Sequence, residues 1–202
     1  MRTLVDILTK DDVYLDASKW QHYTDKELHT VGGHKYCSTF YDAEFAKYYP
    51  LKNVKFLEIG ILRGASLCLW NEYFNDPIIV GVDIINRLNE NPEFYQKCDS
   101  FFDTRIAWGN AYTEEAAQTI NDKFDIILDD GSHVYYDQCE FLKIYPKYLT
   151  DRGVLIIEDI QSPDFIEGFI SLVDKENFTY RVIDTRDEVG IPDNLLFVFN
   201  RK

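Results

Sequence analysis

The chain has 202 residues, a formal net charge of −14 and 46% hydrophobic residues. That length suits one α/β domain, and the hydrophobic content excludes a largely disordered chain. The negative charge disfavours nucleic acid and anionic membrane surfaces as partners. We find no apolar run long enough for a membrane span or a signal peptide, so we expect a cytoplasmic protein. Its four cysteines are widely spaced, which favours reduced thiols: they are Cys37, Cys68, Cys98 and Cys139.

The first 50 residues are predicted to form helices and a long loop. Apolar spacing indicates a short helix over residues 3–9, and an aromatic helix over 40–49 should end before Pro50. Residues 10–40 are predicted to be mostly loop, with one helical turn. This loop either closes over a ligand as a lid or covers the edge of the sheet. Its notable residues are Thr24-Asp25-Lys26, His29, His34 and Tyr36.

A strand, a turn and a helix follow. The apolar run 54–59 predicts a strand, and a helix should begin near Gly64 or Ala65. Gly60 permits a tight turn where a ligand can approach the backbone, and the start of the helix offers free N–H groups. Glu58 interrupts the apolar strand. It must bond to some partner, because a buried unpaired carboxylate is costly.

Asp83 ends the next predicted strand, residues 78–83. In nucleotide-binding α/β folds an acid at this place accepts hydrogen bonds from ribose hydroxyls, and we expect that role here. The alternative is that Asp83 caps a turn or a helix.

The rest of the chain continues the alternation of strands and helices. No helix is expected between the last two strands, which should therefore pair antiparallel. The pattern predicts one doubly wound α/β domain over residues 1–202, with a mostly parallel seven-stranded sheet and an antiparallel last strand. The predicted strands are 104–108, 124–128, from 154, 178–183 and 194–199, and the predicted helices are 92–100, from Thr113, 136–149 and from Pro163.

Acidic side chains follow two of these strands. The motif Asp-Asp-Gly-Ser-His at 129–133 follows one strand, and the pair Glu158-Asp159 follows the next. Because ligands bind beyond the carboxyl ends of parallel strands, these groups should converge. Four clustered carboxylates need a cation or large pKa shifts. The alternative is that the acids cap the strand ends and His133 has a structural hydrogen bond.

These motifs resemble a known family. Residues 57–67, Asp83 and the terminal antiparallel strand are similar to class I S-adenosylmethionine-dependent methyltransferases, which have a Rossmann-like fold. The motifs at 129–133 and 157–160 resemble, more narrowly, the macrolide-sugar O-methyltransferases, a group also labelled cephalosporin-hydroxylase-like. The resemblance extends to Thr24-Asp25-Lys26, His34, Tyr36 and Tyr41. It covers roughly residues 22–160, and we expect residues 1–50 to form N-terminal helices with a lid-like loop and residues 51–202 to form the cofactor-binding core.

The resemblance also implies roles for individual residues. The family's Mg²⁺ ligands correspond to Asp130, Glu158 and Asp159, and its general base corresponds to His133, with Asp130 also counted as catalytic. Oxygen ligands suit such a hard cation. The implied contacts to S-adenosylmethionine are Glu58 and Gly60 at its amino acid end, Asp83 at its ribose, Asn110, Ala111 and Tyr112 at its adenine, and also Tyr36, Arg63, Gly64, Ser66 and Asp129. Asn110 stands where relatives often have aspartate.

The expected function is metal-dependent methyl transfer from S-adenosylmethionine to a hydroxyl of a small molecule. The expected acceptor is a sugar, a nucleotide sugar or a glycan end, and His133 takes its proton while Mg²⁺ or another divalent cation holds its oxygen. A metal-independent N- or O-methyltransferase and a non-catalytic cofactor-binding domain stay open as alternatives. A 2-His-1-carboxylate iron hydroxylase is disfavoured, because three of the four histidines lie in the N-terminal loop. The protein could form a homodimer.

Overall fold

A seven-stranded sheet forms the centre of the protein. The structure, a computed structural model, describes residues 2–10, 24–27, 34–90 and 104–202. The strands are β1 (Lys55–Ile59), β2 (Ile78–Asp83), β3 (Thr104–Trp108), β4 (Phe124–Asp129), β5 (Leu149–Ile157), β6 (Phe178–Asp184) and β7 (Leu195–Arg201). Their order is β3-β2-β1-β4-β5-β7-β6, and β7 runs antiparallel to both of its neighbours. The predicted doubly wound α/β sheet with an antiparallel last strand is confirmed.

Helices precede, connect and flank the strands. The side chain of Thr113 accepts a hydrogen bond from the Ala116 N–H and so caps the helix after β3, as predicted. The predicted helix at 92–100 lies outside the described residues, as do His22, His29 and Cys98. The helices are α1 (Leu4–Lys10), α2 (Asp42–Phe45, after a π-helical turn at Cys37–Tyr41), α3 (Ala65–Tyr73), α4 (Glu114–Ile120), α5 (Tyr135–Ile144), α6 (Phe165–Leu172) and α7 (Arg186–Val189), with a 3-10 turn at Asp25–Glu27.

Both faces of the central strands are covered, which is why these strands are mostly apolar. Every residue of β4 is buried. Ile126 and Leu128 pack into one hydrophobic core with α1, α2 and α3, whereas Ile127 packs into the opposite core with α5 and α6. Because alternate residues of a strand point to opposite faces, a strand covered on both sides is apolar at most of its positions. Asp129, at the carboxyl end of β4, is still buried, and the next residue, Asp130, is partly exposed.

Four features differ most from the predictions. Helix α5 ends at Ile144, not Leu149, because Pro146 has no N–H to continue it and the chain forms a 3-10 turn over Tyr145–Tyr148. Strand β5 begins at Leu149, which pairs with Phe124, well before the predicted start at 154. A one-turn helix, α7, lies between β6 and β7, where no helix was expected. The aromatic helix ends at Phe45, so the predicted span of 40–49 is too long.

The cysteines only partly match the expectation. Cys37 and Cys139 are free thiols, but Cys68 is disulfide-bonded, so the prediction of reduced thiols is wrong at that residue. Among the described residues, no helix combines the length and the apolar character that crossing a membrane requires.

Candidate functional site

The carboxyl ends of β1, β2 and β4 meet at one edge of the sheet. Gly60 follows β1 with a φ of 82° and donates its N–H to the Val82 carbonyl at 2.8 Å. A Cβ on Gly60 would lie 2.0 Å from the backbone oxygen of Asp130. The turn after β1 and the turn after β4 are therefore in direct backbone contact, which only glycine permits.

Two adjoining clefts open at this edge. The first, of about 320 Å³, is lined by Arg63, Ser66, Asp130, His133 and neighbours that include Thr24 and Asp25. The second, of about 220 Å³, is lined by Asn110, Ala111 and Tyr112. Four residues line both clefts and so join them: Gly60, Asp83, Ile84 and Gly131. The predicted contacts Gly60, Asp83 and Asn110 to Tyr112 thus follow one another along the groove that these adjoining clefts form, whereas Glu58 lines neither cleft.

Asp83 is engaged by backbone groups. One carboxylate oxygen accepts the N–H groups of Ile61 and Leu62 at 3.0 and 2.9 Å, and the other accepts the N–H of Ile85 at 3.0 Å. Asp83 thus braces the turn after β1, which was the alternative role considered for it. Its side chain also lines both clefts, so the ribose role stays a prediction.

Three predicted cofactor residues lie behind the groove. Gly64 starts α3 with a φ of 81°. Glu58 is fully buried, accepts the indole N–H of Trp70 at 3.0 Å, and has one oxygen without a hydrogen-bond partner among the described residues. Burial raises the pKa of Glu58 to about 7. Tyr36 is also buried, with its hydroxyl 2.5 Å from an oxygen of Asp159.

Asp129 and Tyr112 support the turn after β4. The Tyr112 hydroxyl donates to Asp129 at 2.8 Å and accepts the backbone N–H of Ser132 at 2.9 Å. Burial raises the pKa of Asp129 to about 7. Asp129 lies under the groove and holds the turn through Tyr112, which agrees with a supporting role and leaves its cofactor contact a prediction.

Asp130 and His133 line the first cleft, and Asp159 lies beside them. Each offers one ligand atom, and these atoms lie within 4.8 Å of one another. His133 and Asp159 both have positive φ angles, 56° and 53°. Such strained conformations in side-chain-bearing residues are held by their surroundings and often occur at functional sites. Burial and the nearby Glu158 carboxylate raise the pKa of Asp159 to about 6.

Glu158, the third predicted metal ligand, points elsewhere. One of its oxygens accepts the Tyr41 hydroxyl, and the other lies 2.5 Å from Lys26 Nζ. Glu158 is absent from the ligand groups that the described residues form. The groups formed around Asp159 instead include His133 and, in a second set, His34 with Asp25.

Lys26 is the site residue that sequence reasoning missed. Its Nζ lies 2.7 Å from Asp130, 2.5 Å from Glu158 and 3.8 Å from Glu58, and its side chain is 1% exposed. Burial lowers the pKa of Lys26, but the three carboxylates outweigh that effect and raise it well above its ordinary value. Charge balance could have pointed to Lys26 in the sequence, because clustered acids need a cation. Lys26 also belongs to the motif Thr24-Asp25-Lys26 noted above.

The donor chemistry fits a divalent metal ion. Asp130 and Asp159 supply carboxylate oxygens, which are ligands suited to Mg²⁺ or a similar cation, and the imidazole of His133 lies beside them. Asp130 is shared, because its Oδ2 also lies against Lys26. The residues present can therefore hold a metal, with Glu158 unable to join while it is paired to Lys26 and Tyr41.

Comparisons with known proteins find sequence relatives of this chain. The chain is 28% identical over 185 residues to an 8-demethyl-8-α-L-rhamnosyl tetracenomycin-C 2′-O-methyltransferase of Streptomyces olivaceus, covering 87% of this chain and 43% of that protein. It is 32% identical over 119 residues to an L-olivosyl-oleandolide 3-O-methyltransferase of Streptomyces antibioticus, covering 52% and 28%. The chain thus spans less than half the length of these relatives.

A solved structure shares the fold. The MycE methyltransferase from the mycinamycin biosynthetic pathway, in complex with Mg, SAH and mycinamycin VI, superposes with a TM-score of 0.62 and 22% identity, covering 83% of this chain and 50% of that one. A family model described as a methyltransferase domain matches residues 57–160, more than half of the chain. The expected resemblance to class I S-adenosylmethionine-dependent methyltransferases is thereby confirmed, and the chain belongs to the methyltransferase domain family.

Proposed function

We propose that this chain transfers the methyl group of S-adenosylmethionine to a hydroxyl of a sugar or a sugar-bearing small molecule. The observation that carries this proposal is the groove that runs from Asn110 past Asp83 to Asp130 and His133. Such a groove suits an extended nucleoside cofactor with its reactive end beside two acids and an imidazole. The two relatives are named as methyltransferases of sugar-bearing molecules, which supports the acceptor class.

In this proposal, different residues of the groove contact the adenine, the ribose and the amino acid end of the cofactor. Asn110, Ala111 and Tyr112 form the wall for the adenine, Asp83 lies at the junction for the ribose, and Ser66 stands near the amino acid end. Asp83 Oδ2 already accepts two backbone N–H groups, whereas Oδ1 accepts one and keeps acceptor capacity for a hydroxyl. Asp83 would thus hold both the turn and the ribose.

In this proposal, Asp130, His133 and Asp159 lie where the acceptor molecule binds. When bound there, Mg²⁺ supplies Lewis acidity toward the acceptor hydroxyl and fixes its orientation. Asp130 and Asp159 would hold that ion, and the predicted Glu158 would join only by leaving Lys26. The chain's own contribution is alignment, because methyl transfer needs the nucleophile and the methyl group held in line.

His133 would act as the general base. It lines the first cleft, and its Nε2 lies 3.9 Å from an oxygen of Asp159. A carboxylate at that distance stabilises the imidazolium that forms when the ring accepts the hydroxyl proton. Imidazole is suited to this step because it exchanges protons near neutral pH.

A metal-independent methyltransferase is the second candidate, and one observation favours it. Lys26 already supplies a positive charge to Asp130, Glu158 and Glu58. The acid cluster is thus partly neutralised by the chain itself. Under this candidate His133 alone would activate the acceptor.

The test combines binding and turnover. Calorimetry with S-adenosylhomocysteine should give a saturable heat, and sugars, nucleotide sugars and glycosylated small molecules should be screened for methyl transfer with and without EDTA. Asp130→Asn should abolish the metal-dependent rate, while Asp164→Asn, an exposed acid on the approach to α6, serves as the matched control. Activity unchanged by EDTA and by Asp130→Asn would establish the metal-independent candidate. Absence of any cofactor heat would overturn both.

A further inference from the structure

The segment Thr24–Glu27 lies against the groove and is fastened at two points. Thr24 and Asp25 line the first cleft. Glu27, 2% exposed, accepts the backbone N–H and the hydroxyl of Ser38 at 2.9 and 2.8 Å. Lys26 makes the second attachment, to Asp130 and Glu158. One attachment therefore ties the segment to the helical region before β1, and the other ties it to the turns after β4 and β5.

Lys26 and a bound metal ion would compete for the same carboxylate. Asp130 Oδ2 lies 2.7 Å from Lys26 Nζ, and Asp130 also offers a ligand atom to the group with His133 and Asp159. An ammonium ion this close repels a divalent cation, and the low dielectric of a buried site strengthens that repulsion. Lys26 also keeps Glu158 from joining the ligand set. The lysine thus opposes metal binding while it holds the groove wall in place.

We propose that Lys26 is a positioning residue that holds the Thr24–Glu27 segment against the cofactor groove and lowers the metal affinity of the Asp130, His133 and Asp159 group. The inference rests on the proposed function, because it concerns the metal and the cofactor assigned there. It assigns Lys26 two effects of opposite sign. A lysine with a merely structural role would, when removed, weaken both kinds of binding together.

The decisive variant is Lys26→Met, which keeps an unbranched side chain of similar length and removes the charge. We expect Mn²⁺ to bind about tenfold or more tightly to it than to the wild type, measured by electron paramagnetic resonance of free Mn²⁺. We expect S-adenosylhomocysteine to bind about threefold or more weakly, measured by calorimetry without metal, because the wall formed by Thr24 and Asp25 loses an attachment. Lys26→Arg keeps the charge and should keep the Mn²⁺ affinity near that of the wild type.

Two further variants separate the effects. Glu27→Ala removes the other attachment and leaves Lys26 in place, so it should weaken S-adenosylhomocysteine binding without tightening Mn²⁺ binding. Lys55→Met is the matched control, because Lys55 pairs with Asp122 at 2.7 Å outside both clefts, and it should change neither affinity. If Lys26→Met fails to fold, Lys26→Met with Glu158→Gln removes the unpaired buried charge, and tighter Mn²⁺ binding is still expected because Asp130 is freed.

The outcomes distinguish a failure of the proposed role of Lys26 from a failure of the proposed function. A wild-type chain that binds neither S-adenosylhomocysteine nor Mn²⁺ would overturn the proposed function. A wild-type chain that binds both, with a Lys26→Met variant whose two affinities fall together or stay unchanged, would overturn the role of Lys26 alone.

Discussion

Replacing Gly60 by alanine tests whether the cofactor turn and the acid site form one rigid unit. The added Cβ would lie 2.0 Å from the Asp130 backbone oxygen and 2.6 Å from the Gly131 Cα. Both neighbours are backbone atoms, so no flexible side chain can move aside. The turn after β4 must shift, and it carries Asp130 and His133 with it.

The loss of folding free energy has two parts, and a second glycine of this chain allows them to be measured separately. A non-glycine residue at a φ of 82° costs about 1–2 kcal/mol from conformation alone. Relieving the clash requires the Asp130 N–H to leave the Ile59 carbonyl, which it contacts at 2.9 Å, and an unpaired buried backbone group costs about 1–3 kcal/mol more. We therefore expect Gly60→Ala to lower the free energy of unfolding by about 2–5 kcal/mol.

Gly190 provides the matched control. It has a φ of 73°, and a Cβ built on it meets no atom within 4 Å. Gly190→Ala should therefore show the conformational cost of about 1–2 kcal/mol without the clash. Urea denaturation of both variants gives the difference, and calorimetry with S-adenosylhomocysteine shows whether the groove survives. We expect binding to be lost in Gly60→Ala and retained in Gly190→Ala. Equal destabilisation of the two variants, with cofactor binding intact in both, would refute the reasoning.

Three other changes probe the base, the supporting turn and a remote buried acid. His133→Ala should lower kcat by about 100-fold to 10,000-fold with little change in S-adenosylhomocysteine affinity, and a loss of affinity equal to the loss of rate would argue against a base. Tyr112→Phe leaves the buried Asp129 without its donor and should cost about 1–3 kcal/mol in urea denaturation. Burial raises the pKa of Asp125, but hydrogen bonds, foremost from Arg152, outweigh it and hold that pKa below its ordinary value. The Asp125 carboxylate thus stabilises the fold above a pH of about 4, and that stabilisation is lost as the pH falls through its folded pKa. The melting temperatures of Asp125→Asn and of the wild type should therefore differ most at neutral pH and converge in acid.

The central strands were predictable because most of their residues are apolar and buried. The bounds of β2 and β3 match the prediction, since both strands are closed by a glycine or a polar residue and both pair in parallel with a neighbour. The convergence of Asp130 and Asp159 was predictable for the same reason, because parallel strands bring their carboxyl ends to one edge. The start of β5 was not, since Leu149 pairs with Phe124 ahead of a register shift in the sheet, and residues 150–153 have no local apolar pattern.

The partner of each acid could not be read from the chain. The pair Glu158-Asp159 is one motif in sequence, yet Glu158 faces Lys26 and Tyr41 whereas Asp159 faces Tyr36 and His133. The positive φ of Asp159 turns the chain between them, and a left-handed aspartate leaves no clear sequence signal. The motifs therefore indicate which residues come close together and leave open which of them share a ligand.

The contacts of Asp130 connect the three parts of the site. Its backbone touches Gly60 in the cofactor turn, its carboxylate meets Lys26 from the N-terminal segment, and it offers a ligand atom beside His133. A shift of any one part must therefore move the others, because packed backbone cannot absorb a change of even an ångström locally. Because methyl transfer depends on in-line alignment, the connection through Asp130 would keep the cofactor turn and the acceptor end aligned for the proposed reaction.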